Sequence, residues 1–405
     1  MVTEEITLEG HIIDSLILSK VLDDILAYGA DFRITEMRVG QTKDDRSFAR
    51  VEVSADSPSA LSEVISRIAR HGAIVKTAED VRLVPAEQDG VFPEGFYSTT
   101  NQRTCVRYQG NWHDVLDQEM DCGIVFDKAT GQFRCVPVAD IKAGDLVVVG
   151  YRGVKVTPAA RGPKVGVFEF MSSAVSSEKP KNVAIKQIAD RMRQVRASDK
   201  KILLVGGPAI VHTGSAHHVV QLIEKGYIDV LFAGNALAVH DIEQALYGTS
   251  LGVYMDRAIP AETGHEHHLR AINTIRRYGS IRAAIEAGVL TTGIMHAVIR
   301  HGVEFVLAGS IRDDGPLPEV ITDTLVAQAA MRAHVRSVGF ALMIATTLHS
   351  VATGNLLPAD VPVVCVDINP AVATKLADRG SFQTVGLVTD VEPFLRELLA
   401  ELDLA

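Results

Sequence analysis

The chain has 405 residues, 47% of them apolar, and a formal net charge of −10. That length accommodates two or three domains with sizeable cores. The acidic balance, with no basic block, argues against a nucleic-acid backbone as partner.

The opening residues, MVTEEITLEG, lack the basic start and apolar centre of a secretory signal. No apolar run reaches membrane-spanning length, since residues 340–352 are interrupted by Thr346, Thr347, His349 and Ser350. Cys105, Cys122, Cys135 and Cys365 form no CxxC pair, and their spacing fits neither a zinc ribbon nor a disulfide framework. The expectation is a reduced, cytoplasmic protein with no membrane and no metal site.

Residues 1–88 read as one module. Ile6 to Ile12 is strand-like; Leu18, Val21, Leu22 and Ile25 then share a helical face that Gly29 ends. Phe32 to Val39 and Phe48 to Val53 alternate as strands around a polar turn, Gln41 to Arg46. Asp56 or Ser57 can cap a second helix that has Pro58 in its first turn and Leu61, Val64, Ile65 and Ile68 on its apolar stripe. After His71-Gly72, Ala73 to Lys76 makes a short strand. The order βαββαβ is ferredoxin-like. Such a module can bind a small effector, form a dimer interface, or simply pack against its neighbour.

Across residues 89–158 helical periodicity fades. Thr104 to Tyr108, Cys122 to Phe126, Gln132 to Val136 and Leu146 to Val149 are short runs punctuated by Gly110-Asn111, Lys128 to Gly131 and Ala143-Gly144-Asp145, which predicts a small β-rich unit. Val156 to Gly166, with two prolines and two glycines, reads as the connection onward.

Residues 159–405 alternate strand and helix, as a parallel sheet with crossover helices requires. The strands are Lys201 to Val205, Ile228 to Ala233, Val303 to Ala308, Phe340 to Ala345, Pro362 to Val366 and Thr384 to Val388. Small and polar residues follow each one: Gly206-Gly207-Pro208, Gly234-Asn235-Ala236, Gly309-Ser310, Thr346-Thr347, Asp367-Ile368-Asn369 and Thr389-Asp390. One such ending is ordinary turn chemistry; six along one edge predict a binding crevice. The fold class is therefore α/β: a Rossmann-like domain, a ferredoxin-like N-terminal module and a small β-rich unit.

Within that domain, VPVVCVDINP at 361–370 reads as a buried strand ending in Asp367. An acid about 20 residues after the first strand-to-helix turn commonly holds a dinucleotide's ribose, and 20 positions before Asp367 stands Thr347. No GxGxxG precedes it; residues 345–350 read ATTLHS. A helix start carrying the hydroxyls of Thr346, Thr347 and Ser350 can bind a pyrophosphate through N–H groups and the helix dipole. The alternative is an ordinary strand–helix–strand unit in which Asp367 caps the next helix.

Longer motifs add to this reading: GPAIVHTG from Gly207, AGNALAVHDIE from Ala233, AGSIRDDGPLPEVITD from Ala308, TTLHSVATGNLLP from Thr346 and CVDINPAVATKLADRGS from Cys365, with EGHIIDS at Glu9 and EMDC at Glu119. Over essentially its whole length the chain resembles the archaeal-type ornithine cyclodeaminases, a group with a region shared with lysine-ketoglutarate reductase/saccharopine dehydrogenase. The resemblance implies an ammonia-lyase that converts L-ornithine to L-proline and ammonia by internal hydride cycling, with NAD bound throughout. Related cyanobacterial proteins carry an additional N-terminal arginine dihydrolase domain. This chain begins at the shared region, so guanidino hydrolysis is expected to be absent. A homo-oligomer is expected as well.

The chemistry requires a closed site, an acid–base group for the amines, and a cation for the α-carboxylate. On this reading Asp367 holds the adenosine ribose and disfavours NADP, while Asn369 follows it on the same strand end. Asn235 and Ala236, with Thr346, Thr347, Leu348 and His349, contact the pyrophosphate or the nicotinamide ribose, and Asp390 serves the adenine side. Asp313 and Asp314, beside Gly315, offer paired carboxylates for acid–base work, with Asp313 also against the cofactor. Their alternative is a turn ahead of a helix beginning near Pro318.

Other residues carry less. His265, His267 and His268 read as a solvated helix start rather than a metal cluster. His217 and His218 belong either to the crevice or to a helix surface. Cys122, with no histidine partner in sequence, reads as a buried thiol. Arg103 or Arg107 is a candidate clamp for the substrate carboxylate. Two other functions stay open: a saccharopine-type amino-acid dehydrogenase that releases reduced cofactor, and a non-catalytic NAD-binding sensor.

Overall fold

A computed structural model describes residues 1–13, 17–41, 45–69, 71–75, 79–157, 181–378 and 384–404. The chain forms two compact units, Met1–Lys164 with Asn355–Asp360, and Val165–Gly354 with Val361–Ala405.

The first unit opens with β1 (Val2–Gly10), α1 (Ile17–Ala27), β2 (Asp31–Arg38), β3 (Ser47–Ala55), α2 (Pro58–Ala69) and β4 (Ile74–Val75). Their four-stranded antiparallel sheet has the order β2-β3-β1-β4, which is ferredoxin-like as expected. Alternation explains it. Ala49, Val51 and Val53 of β3 point inward with Ile6 and Leu8 of β1, and Val21, Ile25, Val64, Ile65 and Ile68 of the two helices cover them.

A seven-stranded sheet follows, built from β5 (Arg82–Pro85), β6 (Arg103–Tyr108), β7 (Asn111–Leu116), β8 (Gly123–Asp127), β9 (Gln132–Val136), β10 (Leu146–Val149) and β11 (Val154–Thr157) in the order β11-β6-β7-β9-β8-β10-β5. It buries Val106, Ile124, Phe133 and Val148. Three of these strands escape the sequence reading. β7, NWHDVL, buries only Val115, and β5 and β11 are four-residue edge strands. β11 includes Val156 and Thr157, which the sequence assigns to a connection; the rest of that stretch, 158–166, lies outside the described residues. The β6–β7 turn is Gln109-Gly110, both with positive φ (51° and 80°), the geometry a two-residue hairpin needs.

The second unit runs α3 (Lys181–Arg196), β12 (Lys201–Gly206), α4 (Ala209–His212), α5 (Ala216–Glu224), β13 (Val230–Gly234), α6 (Asn235–Tyr247), β14 (Thr249–Ser250), β15 (Val253–Tyr254), α7 (His267–Tyr278), α8 (Ile281–Glu286) and α9 (Ile294–His301). It continues with β16 (Glu304–Ala308), β17 (Val320–Ile321), α10 (Thr324–Val335), β18 (Val338–Ile344), α11 (Thr347–Leu356), β19 (Val363–Asp367), α12 (Pro370–Asp378), β20 (Thr384–Val388) and α13 (Val391–Glu401). Seven strands form one parallel sheet in the order β17-β16-β13-β12-β18-β19-β20. Continuous apolar runs such as Ile202–Val205 and Leu342–Ile344 are buried on both faces because helices cover both. All six expected strands are present. β17 is an addition, and the helix expected near Pro318 starts at Thr324 instead, where the Asp323 carboxylate accepts the Leu325 and Val326 N–H groups. Among the described residues no helix is long and apolar enough to cross a membrane.

Candidate cofactor and catalytic site

From β12 the second unit builds outward through β13, β16 and β17, then returns to the other side of β12 with β18, β19 and β20. The reversal lies between β12 and β18, where ligands bind beyond the strands' carboxyl ends. Counting back from Asp367 treats β18 as the first strand. The structure gives that place to β12 and puts Asp367 at the end of β19, on the far side of the reversal. The close-approach glycines accordingly stand elsewhere than 345–350. A Cβ on Gly207 would lie 1.8 Å from the Ala345 carbonyl oxygen, and the Gly207 N–H donates to Ile344 O at 2.9 Å. Ala345 itself has φ of 51°. The two central strand-to-helix turns thus touch through backbone, which is the job the missing fingerprint glycines would have had.

Around this contact stand most of the expected residues. At the start of α11, Thr346 Oγ1 is 3.3 Å from His349 Nδ1, Thr347 is exposed, and Leu348 is 76% exposed. The His349 ring lies over the end of β13, since a Cβ on Gly234 would meet its Cε1 at 3.0 Å. Burial lowers the His349 pKa while the nearby Asp313 carboxylate pulls it partly back up, so the ring is neutral at pH 7. Asn235 opens α6 and is buried; its Oδ1 accepts the Leu317 N–H at 3.1 Å and ties down the β16–β17 loop. Ala236, next on the helix, is half-buried.

In that loop the two aspartates separate. Asp313 Oδ2 accepts the Ser310 N–H at 2.8 Å and acts on His349, whereas Asp314, 66% exposed, lies 3.3 Å from His268 Nε2. Asp313 thus bonds back into its own loop, while Asp314 stands beside an imidazole. On the other side of the reversal, Asp367 Oδ1 accepts the Asn369 N–H at 2.8 Å, and Asn369 Oδ1 accepts the Ala371 N–H at 3.0 Å. The cap of α12 is therefore Asn369. Asp390 caps α13 through the Val391 N–H at 2.6 Å. Ile311, Leu348 and Ile368 stand uncovered beyond β16, β18 and β19. Apolar surface for flat rings, a carboxylate for a ribose diol and the first N–H groups of α11 for a pyrophosphate are the groups a dinucleotide needs.

Several residues go elsewhere. Arg103 pairs with Asp114 at 3.0 Å and Arg107 with Asp80 at 2.7 Å, so neither is a free clamp. Cys122 is buried, as expected. His218 is buried against Glu392, 3.8 Å away, while His217 is exposed. Of the three clustered histidines only His265 is solvated, at 80% exposure. His267 stacks on Tyr247 and bonds Thr249 Oγ1 at 2.8 Å. No group of three or more metal-binding side chains exists among the described residues.

The sequence reading missed His212, Asp241 and the pair His240–Glu243. The pair stands three residues apart on α6, a spacing that puts both on one face and was the available signal. His240 Nδ1 bonds Glu243 Oε2 at 2.8 Å, and the His212 ring lies 4.8 Å from that of His240. Asp241, fully buried on another face, accepts the Ile294 and Met295 N–H groups at 2.7 and 2.8 Å and so caps α9.

Burial, and secondarily His240, push the His212 pKa down to about 4. Between that value and the ordinary 6.5 the unfolded chain binds the proton and the folded chain does not, so this group's stabilisation is lost as pH falls from about 6.5 to about 4. Asp241, pushed up by burial to about 6, works in the opposite sense, favouring the fold at low pH and less so as pH rises through 6. Urea unfolding of wild type and His212→Asn from pH 4 to 7 should separate them. The variant is expected to show a shallower loss of stability on acidification.

Comparison with known proteins agrees with this architecture. Residues 3–102 match the LOR/SDH bifunctional enzyme conserved region, 103–185 the first C-terminal region of the arginine dihydrolase ArgZ-like family, and 186–398 its C-terminal Rossmann fold. The ornithine cyclodeaminase of Methanothermobacter thermautotrophicus is 54% identical over 99% of this chain and 98% of its own. That of Methanocaldococcus jannaschii is 50% identical over 100% and 97%. Among solved structures, apo ArgZ, an arginine dihydrolase from the cyanobacterial ornithine–ammonia cycle, is 38% identical with a TM-score of 0.86. It covers 99% of this chain, which spans 58% of ArgZ. AgrE in ternary complex with ornithine and NAD+ is 41% identical with a TM-score of 0.54, covering 99% of this chain and 57% of its own. The chain, with its LOR/SDH region and ArgZ-like Rossmann fold, belongs to the archaeal ornithine cyclodeaminase family.

Proposed function

We propose that this protein is an NAD-dependent ornithine cyclodeaminase, converting L-ornithine to L-proline and ammonia. The observation that carries the reading is the gathering of the α11 start, with its His349 ring over the end of β13, at the sheet's reversal point, in a chain whose full-length relatives bear that name. The bound cofactor would supply oxidation at Cα and, by internal hydride cycling, its reversal. The chain's own residues do the rest. Asp367 accepts hydrogen bonds from the adenosine ribose through its carboxylate and repels a 2′-phosphate. Asn369 and Asp390 keep the flanking helix starts in place beside it. Thr346, Thr347, Leu348 and His349 offer hydroxyls and N–H groups to the pyrophosphate, with Asn235 and Ala236 across the reversal. Asp313 and Asp314 hold and move protons at the substrate amines. The division at residues 88 and 158, a homo-oligomer and a cytoplasmic location belong to the same reading; four free cysteines agree with a reducing compartment.

Incubation with ornithine and NAD tests it: proline and ammonia without accumulating NADH are expected. Stoichiometric NADH would mean a dehydrogenase, and no product a sensor. The site assignment has its own test. Asp367→Ala removes a charge-assisted contact of about 1.5–3 kcal/mol, weakening NAD about 10- to 150-fold while turnover at saturating NAD changes little. Asp313→Asn should do the reverse, sparing NAD affinity and losing turnover. Unchanged NAD affinity in Asp367→Ala would move the cofactor elsewhere along the crevice.

A further inference from the structure

Behind Asp314 lies a connected set of side chains that the proposed chemistry does not yet use. His268, on α7, stands 3.3 Å from Asp314, and its ring centroid is 6.4 Å from that of His240 on α6. His240 Nδ1 meets Glu243 Oε2 at 2.8 Å. Glu243 is fully buried, and its oxygens are filled by backbone and hydroxyl donors as well. Oε1 accepts from Thr249 Oγ1 and the Gly252 N–H, both at 2.9 Å, and Oε2 accepts from the Leu251 N–H at 3.2 Å. Thr249 Oγ1, having donated its proton to Glu243, accepts from His267 Nδ1 at 2.8 Å. His212, on α4, closes the other side of His240 and bonds Ser250 Oγ at 2.7 Å.

Two features set this apart from a merely satisfied buried acid. Hydrogen bonds hold Glu243 ionised despite its burial, so His240 Nδ1 donates to it. The line also has a direction, from a fully buried carboxylate through two imidazoles to a carboxylate 66% exposed on the loop after β16. With the His240 and His268 ring centroids 6.4 Å apart, a proton passing between them would need a bridging water.

We propose that Glu243, His240, His268 and Asp314 form a proton relay serving the two amines of the substrate. This rests on the ornithine cyclodeaminase reading. Ornithine enters with both amines protonated. The α-ammonium must lose a proton before Cα can be oxidised, and the side-chain ammonium must lose one before its nitrogen can attack; these two N–H bonds break and the protons pass to Asp314 and on to His268. After the attack the new ring nitrogen gives up a further proton. When the bond between Cα and the departing nitrogen breaks, the electron pair stays on nitrogen, and the protons held by the relay return through Asp314 to the departing ammonia and to the ring nitrogen. No proton is gained or lost overall. Asp314 is the member that reaches the amines. His268 and His240 are positioning residues that act through it, with Glu243 fixing the tautomer. Among the described residues the titratable groups facing His240 are Glu243 from its own helix, His212 from α4 and His268 from α7, so the pH profile belongs to the set and not to one residue.

The relay makes two measurements move together. In enzyme free of substrate, proton NMR should show the His240 Nδ1 proton as a downfield resonance that disappears in Glu243→Gln and shifts in both His268→Gln and Asp314→Asn. In turnover at saturating NAD, Glu243→Gln and His268→Gln should each lower kcat about 100-fold with KM and NAD affinity held within about twofold. Added imidazole should restore part of the His268→Gln loss. A resonance indifferent to His268→Gln and Asp314→Asn overturns the relay. So does His268→Gln turning over at the wild-type rate, or losing NAD affinity in proportion to its rate. Since the NMR arm needs no substrate, a wild type that makes no proline would count against the substrate and leave the relay to be judged by the resonance.

Discussion

Gly207→Ala is expected to cost about 3 kcal/mol or more of folding stability and to abolish NAD affinity with it. The added methyl would sit 1.8 Å from the Ala345 carbonyl oxygen and 2.6 Å from its carbon, both backbone atoms that no rotamer change can move. Relief requires parting the β12 and β18 turns. Those two turns flank the reversal of the sheet, so the variant should lose cofactor binding even at temperatures where it stays folded. Gly234→Ala is the control. There the first obstacle is His349 Cε1 at 3.0 Å, the end of a side chain that can swing aside. Urea unfolding and NAD titration of both variants decide the matter, and a Gly207→Ala protein with wild-type stability would show that the turns are not pressed together.

Asp241→Ala should lower unfolding free energy by about 2–4 kcal/mol, because it strands two buried N–H groups at the start of α9. The carboxylate reaches Ile294 and Met295 from α6, more than 50 residues earlier in the chain, and thereby pins one helix to another. Gly293, at φ of 101°, leaves room for it, its absent Cβ falling 2.8 Å from the Asp241 carboxylate. Some of the loss is offset, since burial opposes the charge and pushes the Asp241 pKa up to about 6. Asp241→Asn should lose less, retaining one acceptor oxygen while turning an NH2 toward the second N–H. Chemical denaturation at pH 7 measures both. A loss below about 0.5 kcal/mol for the alanine variant, the range of ordinary surface changes, would mean that α9 is capped by other means.

These two positions show where the sequence speaks and where it falls silent. The apolar runs of the parallel sheet are legible because each strand is buried on both faces, and the ferredoxin-like order is legible because each of its strands alternates. Strand order in the parallel sheet is a property of space. Nothing in residues 340–367 says that β12, far upstream, is the first strand, so the glycines that allow close approach are sought at 345–350 and found at 207 and 234. The strand-end residues could be named because each follows an apolar run. His240 and Glu243 stood in a quoted motif, but the pair acquires meaning only from Thr249, Leu251 and Gly252 in the β14–β15 turn, whose strands of two residues leave no period to read. The split between Asp313 and Asp314 was equally hidden, because it depends on histidines from α7 and α11.

The central place of β12 bears on how the chain is made. On one side it pairs with β13, which follows within about 30 residues, and on the other with β18, which emerges roughly 140 residues later. While the intervening helices are being synthesised, Ile202 to Val205 present one row of peptide groups with no neighbour. That row ends fully buried in the native sheet, but in the nascent protein it is an open apolar edge. Docking of β18 closes it and, in the same event, brings Gly207 against Ala345. One event therefore closes the open side of β12 and forms the Gly207–Ala345 wall of the crevice, while the carboxylate of Asp367 arrives only when β19 pairs with β18.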